Sequence, residues 1–584
     1  MKKYIYIIFT ALIGFTSCLD KEPLSQMSPE TFFSNENELQ AFSNPFYTIF
    51  PSTTLYSENV DNVIRLELSE EVRGARIVPA SGGGWTWSIL RDINTMLGHI
   101  DNCKDEQVRE QYEGLARFFR AYFYFEKVKM FGDVPWYDKE LASDDPDLYK
   151  PRDSREFVMQ DILDDLDYAI EKLPSTKSLY TITKWTALAL KSRACLFEGT
   201  FRKYHNINLE GKDWQWYLQE CADASYDFIA GSGYSLYKTG GTNSAYRNLF
   251  INADKATEEV ILARDYNKSL GIFHDSNYST MSASYGRPGL TRKIVASYLM
   301  KDGTRFTDKA GWEERGFVEE TKNRDPRLAQ TIRTSGYTRY GKTALVAPDF
   351  STCITGYHPT KYVGGTEHDG YNKSYLDLII FRSAEVYLNY AEAKAELGSL
   401  KQNDLDISVN KLRQRVGMPN LDMDAANDAQ DAFLQSAQTG YVNVAGDNLG
   451  VILEIRRERT IELLGEGHRY FDMVRWKEGK AFEQPLLGMY FPGPGEYDLN
   501  EDGVNDVHLY KGKTPTTSTS SVLLQIGQDI LLSAGDKGCV FPHKGNTGRW
   551  NESRDYLYPI PTDDRSLTFG SLTQNPGWND GLDF

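Results

Sequence analysis

Acids, bases and a histidine are densest between Arg456 and Trp476. Glu458, Glu462, Glu466, His468 and Asp472 have the chemistry of a general acid–base site, but they share the stretch with Arg456, Arg457, Arg459, Arg469 and Arg475. Opposite charges three or four residues apart on a helix pair with each other. Ion pairing is therefore expected here, and catalysis is not. His468 has no partner at the spacing of an HExxH metal site. A second cluster, Asp498, Asn500, Asp502, Gly503, Asn505 and Asp506, follows the first half of a calcium loop, with oxygen ligands at alternate positions, a glycine at the sharp turn and a further acid beyond it. Leu509 stands where a bidentate carboxylate would close the site. The segment is either a calcium site of reduced affinity, with Asp498, Asn500, Asp502 and Asp506 as ligands, or an Asx-rich surface turn. No cofactor is required on either reading.

A third reactive group is the thiol of Cys18. Lys2 and Lys3 precede the uncharged apolar run Tyr4 to Phe15, and the small residues Thr16 and Ser17 lead into Cys18. A spanning helix needs roughly 20 apolar residues, so this run has the length of a removed signal peptide. Met1 to Ser17 is read as the leader and Cys18 as a lipidated N-terminus. Phe15 stands where bacterial lipoprotein leaders usually carry Leu, and the alternative is an ordinary secretory peptide with an incidental cysteine. Acyl chains contribute about 0.8 kcal/mol per buried methylene, enough to hold a soluble domain on a bilayer without a spanning helix. The other five cysteines, Cys103, Cys195, Cys221, Cys353 and Cys539, are scattered and odd in number. They outline neither a zinc site nor a disulfide framework, and burial as small apolar groups is expected.

These groups must be held by some frame. The whole chain carries a net charge of −17, and losing Lys2 and Lys3 with the leader brings it to −19. Such a surface repels phosphate backbones, which argues against a nucleic-acid partner. Residues 18–28 read as a polar tether, and 29–584 as the globular part. Within Glu110 to Phe131, Leu115, Phe118, Phe119, Tyr122, Phe125 and Val128 recur at helical steps, stopped by Gly132 and Pro135. Asp153 and Glu156 suggest a capping box for the next helix, which Pro174 ends. Further helices are expected over Lys184 to Gly199, Trp214 to Ala230, Ser383 to Leu397 and Asp404 to Val416. Small residues on their contacting faces resemble degenerate tetratricopeptide pairs; a generic helical bundle is the alternative. The expected fold is mostly α, with a helix-pair scaffold over about 100–235 and 375–480. Two irregular regions, about 50–95 and 270–370, are rich in Gly, Ser, Thr, Tyr and Arg. Loops this long are usually functional or disordered, and their aromatic content argues against disorder.

Several passages, together with the leader and its cysteine, resemble the SusD/RagB family of glycan-uptake lipoproteins. They are Ala116-Arg117-Phe118-Phe119-Arg120-Ala121-Tyr122-Phe123-Tyr124-Phe125 closing on Phe131-Gly132-Asp133-Val134-Pro135; Thr183-Lys184-Trp185-Thr186 running to Phe197-Glu198-Gly199-Thr200; Arg456-Arg457-Glu458-Arg459 with Gly467-His468-Arg469-Tyr470-Phe471-Asp472; and the tail Tyr558-Pro559-Ile560-Pro561 with Gln574-Asn575-Pro576-Gly577. The resemblance implies about four tetratricopeptide-like helix pairs, an irregular remainder carrying the ligand site, and no catalysis. It implies a surface lipoprotein of the outer membrane, facing outward and held there by its lipid alone. Its partner would be a SusC-like TonB-dependent transporter, which it serves as a hinged lid delivering oligosaccharide.

A neutral glycan offers apolar ring faces and many hydroxyls, so its site needs exposed aromatic platforms and planar hydrogen-bonding groups. By position, the resemblance points to Asp61, Arg73, Trp85 and Trp87 in the early irregular region. Tyr278, Tyr285, Tyr298 or Trp312 would come from the middle one. Two rival functions stand beside this. A surface glycoside hydrolase would need two carboxylates about 5 to 10 Å apart across a cleft. A tetratricopeptide-type scaffold would bind peptides on its concave face. The anchor is directly testable: Cys18→Ala is expected to move the protein from the membrane to the soluble fraction, and a variant that stays membrane-bound refutes the lipidation reading.

Overall fold

The computed structural model describes residues 31–52, 58–252 and 256–584. The leader 1–17, Cys18 and the tether 18–28 lie outside these residues. Among the described residues no helix is long and apolar enough to cross a membrane. The chain is mostly α-helical. Its principal helices are α1 (Glu36–Ser43), α2 (Ser88–His99), α3 (Glu106–Phe131), α4 (Arg155–Lys172), α5 (Lys184–His205), α6 (Trp214–Gly231), α7 (Ser383–Glu396), α8 (Leu449–Glu462) and α9 (Arg469–Arg475). Helix α3 packs on α4, α5 on α6, and α7 against both α6 and α8.

Local chemistry explains most boundaries. Asp105 caps α3 by accepting the Val108 N–H, so the helix begins before Glu110; Gly132, at φ 72°, ends it. The capping box expected from Asp153 and Glu156 does not form. Ser154 caps α4 instead, Asp153 accepts the Trp136 N–H at 2.7 Å, and Glu156 accepts the Lys212 N–H at 2.9 Å. Gly199 does not stop α5, which continues to His205. It marks the α5–α6 crossing, where a Cβ would lie 2.7 Å from Leu218 Cγ. The helix expected over Asp404 to Val416 is split into Gln402–Asp406 and Val409–Arg415. The Arg456–Trp476 segment is divided as well. Gly465 and Gly467, at φ 74° and 81°, separate α8 from α9, in a backbone region that glycine enters without steric cost.

Short strands join the irregular regions. β1 (Val63–Ile64) pairs with β3 (Gly289–Leu290), and β2 (Val260–Arg264) with β4 (Leu378–Arg382), both antiparallel. The second pair closes the neck of the middle region, so residues 265–377 leave the scaffold and return to it at one place. Two three-stranded sheets follow: β5 (Tyr490–Phe491), β10 (Lys537–Val540) and β9 (Leu532–Ala534) in one, and β6 (Gly495–Tyr497), β7 (Val507–Tyr510) and β8 (Val522–Gln525) in the other. Strands of two to five residues are too short for an alternating pattern to stand out in sequence. A main hydrophobic core runs through the helix pairs, and a second is built from the middle region and the C-terminal strands.

Buried charge locks the neck to the scaffold. Arg382, at the end of β4, donates to Glu259 at 2.9 Å, Glu462 at 2.8 Å and Glu466 at 2.7 Å. Arg415 and Arg327 also reach Glu462, at 2.6 Å and 3.1 Å. All six side chains are buried. Burial raises the Glu462 pKa, but Arg415, Arg382 and Arg327 outweigh it and hold the carboxyl well below the usual range. A depressed pKa contributes stability above the unfolded value, about 4.3 for Glu, and loses it as pH falls toward the folded value. Glu462→Gln is therefore expected to destabilise the fold by about 3 to 5 kcal/mol at neutral pH, leaving three buried arginines short of a partner. Denaturant melts of variant and wild type should converge progressively below about pH 4.3; a pH-independent difference would contradict the ionic origin.

Candidate functional site

The acid–base cluster resolves into ion pairs, though mostly with partners far along the chain. Glu458 pairs with Arg327 and Arg413, Glu466 with Arg382 and Lys361, and Asp472 with Arg459 and Arg475. Burial, with Arg193 and Arg459 nearby, drives the His468 pKa well below the usual imidazole range. In the Asp498–Asp506 loop, side-chain oxygens accept from the loop's own backbone. Asp498 accepts the N–H of Glu501 and Gly503, Asn500 that of Asp502, Asp502 that of Val504, and Asp506 that of Leu499. The Asn500–Asp502 and Asp502–Val504 bonds are Asx turns. Among the described residues, no three carboxylate, imidazole or thiol groups are grouped to hold a metal ion.

Asp61 and Tyr298, expected at a sugar site, are withdrawn into the interior, as is most of Trp85. Asp61, 0% exposed, takes two bonds from Arg469 at 2.8 Å and 2.7 Å and a third from Lys293. Burial pushes its carboxyl up, but the two cations hold it far below the usual value. Its neighbour Glu58 is pushed up to about 7 by burial and by the Asp61 charge. Asp61 thus fastens the early irregular region to α9, and its burial closes it to a sugar hydroxyl. Tyr298 is fully buried in the second core, its hydroxyl 3.4 Å from Thr331 Oγ1. Trp312 is half-buried, edge-on to Phe306 and Phe433. Arg73 is exposed at the end of the short helix Glu70–Arg73.

Trp85 and Trp87 stand together, with ring centroids 5.2 Å apart, but most of their surface is spent on packing. Trp85 is buried edge-on to Phe131, and Trp87 packs on Phe123, Tyr124 and Tyr137. Both line a cavity of about 640 Å³ between α2, the segment 135–149 and the C-terminal helix Thr562–Leu567. Among the described residues, no ring contact joins this pair to the tyrosines of the middle region.

Those tyrosines do come together. Tyr278 lies edge-on to Tyr285 at 5.8 Å and to Tyr371 at 5.6 Å. Tyr371 is 66% exposed and Tyr285 41% exposed, so ring surface faces solvent. The arrangement follows from backbone pairing. The His274–Ser374 bridge draws the turn bearing Tyr371 beside the helix Ser276–Met281 that bears Tyr278. The β1–β3 pair brings Arg65 to Tyr285, whose carbonyl it reaches at 3.0 Å, while Leu66 N–H donates to Gly286 at 2.7 Å. The C-terminal segment completes one side, with His543 Nε2 2.7 Å from the Arg65 carbonyl. The Asp275 carboxylate beside Tyr285 pushes that phenol up. Ser284 Oγ lies 3.2 Å from the Tyr278 hydroxyl. Rings, a guanidinium, a carboxylate and hydroxyls on an open surface are the equipment for stacking on a sugar ring and reading its hydroxyls. Tyr371, Arg65 and Asp275 were not among the expected residues. The available signal for Tyr371 is its setting, Gly370-Tyr371-Asn372, an aromatic carried on turn residues.

Known proteins match this fold along nearly its whole length. Residues 234–578 match the model of the SusD family, and residues 86–196 match a family described as starch-binding and associating with the outer membrane. SusD-like protein P38 of Formosa agariphila is 23% identical over 530 residues, covering 84% of this chain and 95% of its own. A SusD-like protein of Bacteroides ovatus is 22% identical over 530 residues, covering 82% and 83%. Among solved structures, a SusD-like protein from Bacteroides fragilis superposes with a TM-score of 0.68 at 23% identity, covering 96% of this chain and 100% of that one. A SusD-like carbohydrate-binding protein from the same organism gives 0.65 at 19% identity, with 92% and 99% covered. The shared helix-pair scaffold and the family match over more than half of the sequence lead to one conclusion: this chain belongs to the SusD family.

Proposed function

We propose that the chain is a non-catalytic surface lipoprotein that captures oligosaccharide on the Tyr278–Tyr285–Tyr371 surface. It passes the glycan to a SusC-like TonB-dependent transporter in the outer membrane. The observation that carries this reading is the exposed edge-to-face tyrosine cluster, built where both irregular regions meet. Its support from relatives is the naming of similar proteins as carbohydrate-binding or starch-binding. An open surface buries little apolar area, so modest affinity is expected. A lipid on Cys18, outside the described residues, would hold the domain at high effective concentration beside the transporter and leave it free to swing as a lid.

Retardation in polysaccharide-containing native gels, across a panel of soluble glycans, tests the site. Tyr285→Ala combined with Tyr371→Ala is expected to weaken retention about tenfold while leaving the melting temperature within a few degrees, because neither ring belongs to a hydrophobic core. Stacking of about 0.5 to 1.5 kcal/mol per aromatic ring sets that scale. Unchanged retention in the double variant removes the cluster from the site. Steady release of reducing ends by the purified protein would instead favour the hydrolase. Co-purification of a TonB-dependent transporter with the anchored protein, lost on Cys18→Ala solubilisation, tests the partnership.

A further inference from the structure

The tyrosine surface carries a cation without a carboxylate partner. Arg65 directly follows β1, is half-buried, and lies along the backbone of Tyr285 and Gly286. Its Nη1 donates to the Tyr285 carbonyl at 3.0 Å. Gly286, at φ 89°, makes room for it, since a Cβ there would lie 3.2 Å from that nitrogen. Behind it, His543 Nε2 sits 2.7 Å from the Arg65 carbonyl, so the guanidinium is held in place. Nε is buried without a partner, whereas Nη2 makes no hydrogen bond among the described residues and is open to solvent. Among those residues no carboxylate lies within 4.0 Å of the guanidinium. Burial lowers the Arg65 pKa, and only the Tyr285 phenol opposes that shift.

The acids nearby are directed elsewhere. Asp275 acts on the Tyr285 phenol and is not among the groups that act on Arg65. Asp369, bonded to Asn277 of the helix Ser276–Met281 at 3.2 Å, is paired with Arg339 at 2.8 Å. A second cation stands on the turn that bears Tyr371. Lys373 is exposed and has no carboxylate within 4.0 Å among the described residues. Its side chain folds back over that turn, its Cγ 2.8 Å from where a Gly370 Cβ would lie. One unpaired cation thus adjoins Tyr285, and another adjoins Tyr371.

We infer that the ligand of this surface is an acidic glycan, one whose sugars carry carboxylate or sulfate groups, with Arg65 Nη2 donating to the anionic group while Tyr285 and Tyr371 stack on the sugar rings. The inference rests on the glycan reading above and names its substrate class. The physical reason is desolvation. A sugar docked beside Tyr285 covers the open edge of Arg65 and strips water from a cation that is already half-buried. A neutral hydroxyl replaces that water but leaves the charge unbalanced. A carboxylate or sulfate oxygen makes a charge-assisted hydrogen bond and neutralises the charge as well. The net charge of −19 after loss of the leader does not oppose this at contact range, because at physiological salt charges more than about 8 Å away are largely screened.

Affinity gels of the full soluble chain, cast with matched pairs of glycans, test this. One pair is polygalacturonate and its methyl ester; the other is carrageenan and desulfated carrageenan. Each pair shares a backbone and differs in charge, and together they separate carboxylate from sulfate. At least one acidic member is expected to be held about tenfold more tightly than its neutral partner, the weight of one charge-assisted hydrogen bond. The difference should vanish in 1 M salt, where the screening length falls to about 3 Å. Arg65→Gln should bring the acidic member down to the level of the neutral one, and Arg65→Lys should restore part of the preference. Lys373→Gln, at an exposed side chain, should weaken the acidic member by up to about fivefold with an unchanged melting temperature, and it decides the matter if Arg65→Gln melts early. The inference is overturned, with the glycan reading left standing, if each neutral form is held as tightly as its acidic partner, if both Gln variants keep the full preference, or if wild type holds only neutral glycans. If no glycan of either kind is held, both readings fall.

Discussion

The structure depends on a carboxylate that has no water around it. Glu462, near the end of α8, takes arginines from three directions: Arg415 from the scaffold, Arg382 from the neck of the middle region, and Arg327 from within that region. Desolvating four charges is expensive, and Coulomb attraction in the interior repays it only when geometry is near ideal. Here the arginine donors lie within 2.6 to 3.1 Å of the carboxylate oxygens. A shift of any of these elements would leave a buried charge uncovered, so the network penalises other packings. The long middle region is therefore fixed to the helices at its root by charge, and beyond the root it packs through the second hydrophobic core against the C-terminal strands.

A second buried cluster repeats the device at the other irregular region. Asp61, held by Arg469 and Lys293, ties the early segment to α9 and to the helix Arg292–Ser297. Two residues further on, β1 pairs with β3. The two regions are thus clamped from below by ions and joined above by a short strand pair, and Arg65 and Tyr285 meet just past that join. Residues that resemble ligands in sequence serve as fasteners, and the surface they fasten carries the exposed rings.

The aromatic side chains divide accordingly. Trp85, Trp87 and Tyr298 are large rings on or beside packed elements, and burial of their area is what holds those elements. Tyr285 and Tyr371 sit on turns with little beneath them to cover. The first set lines an open cavity and a core. The second makes an open surface that a polysaccharide chain can approach along its length.

Much of the frame was legible in the chain itself. The amphipathic period of α3 and α4, the small residues of α5 and the alternating charges of α8 and α9 are local properties, and local properties define helices and ion-pairing segments. The partner of each charge was not legible. Glu462 to Arg382 or Asp61 to Arg469 are contacts between distant segments, and helical spacing predicts only neighbours three and four residues away. Gly199 shows the same division: its type suggests a helix end, yet the approach of Leu218 makes it a crossing point. By itself the sequence determined a helix-pair scaffold with two aromatic-rich irregular regions. Only the tertiary structure decided which rings face water, because exposure depends on what packs against a residue, and for Trp85, Asp61 and Tyr371 that neighbour comes from another part of the chain.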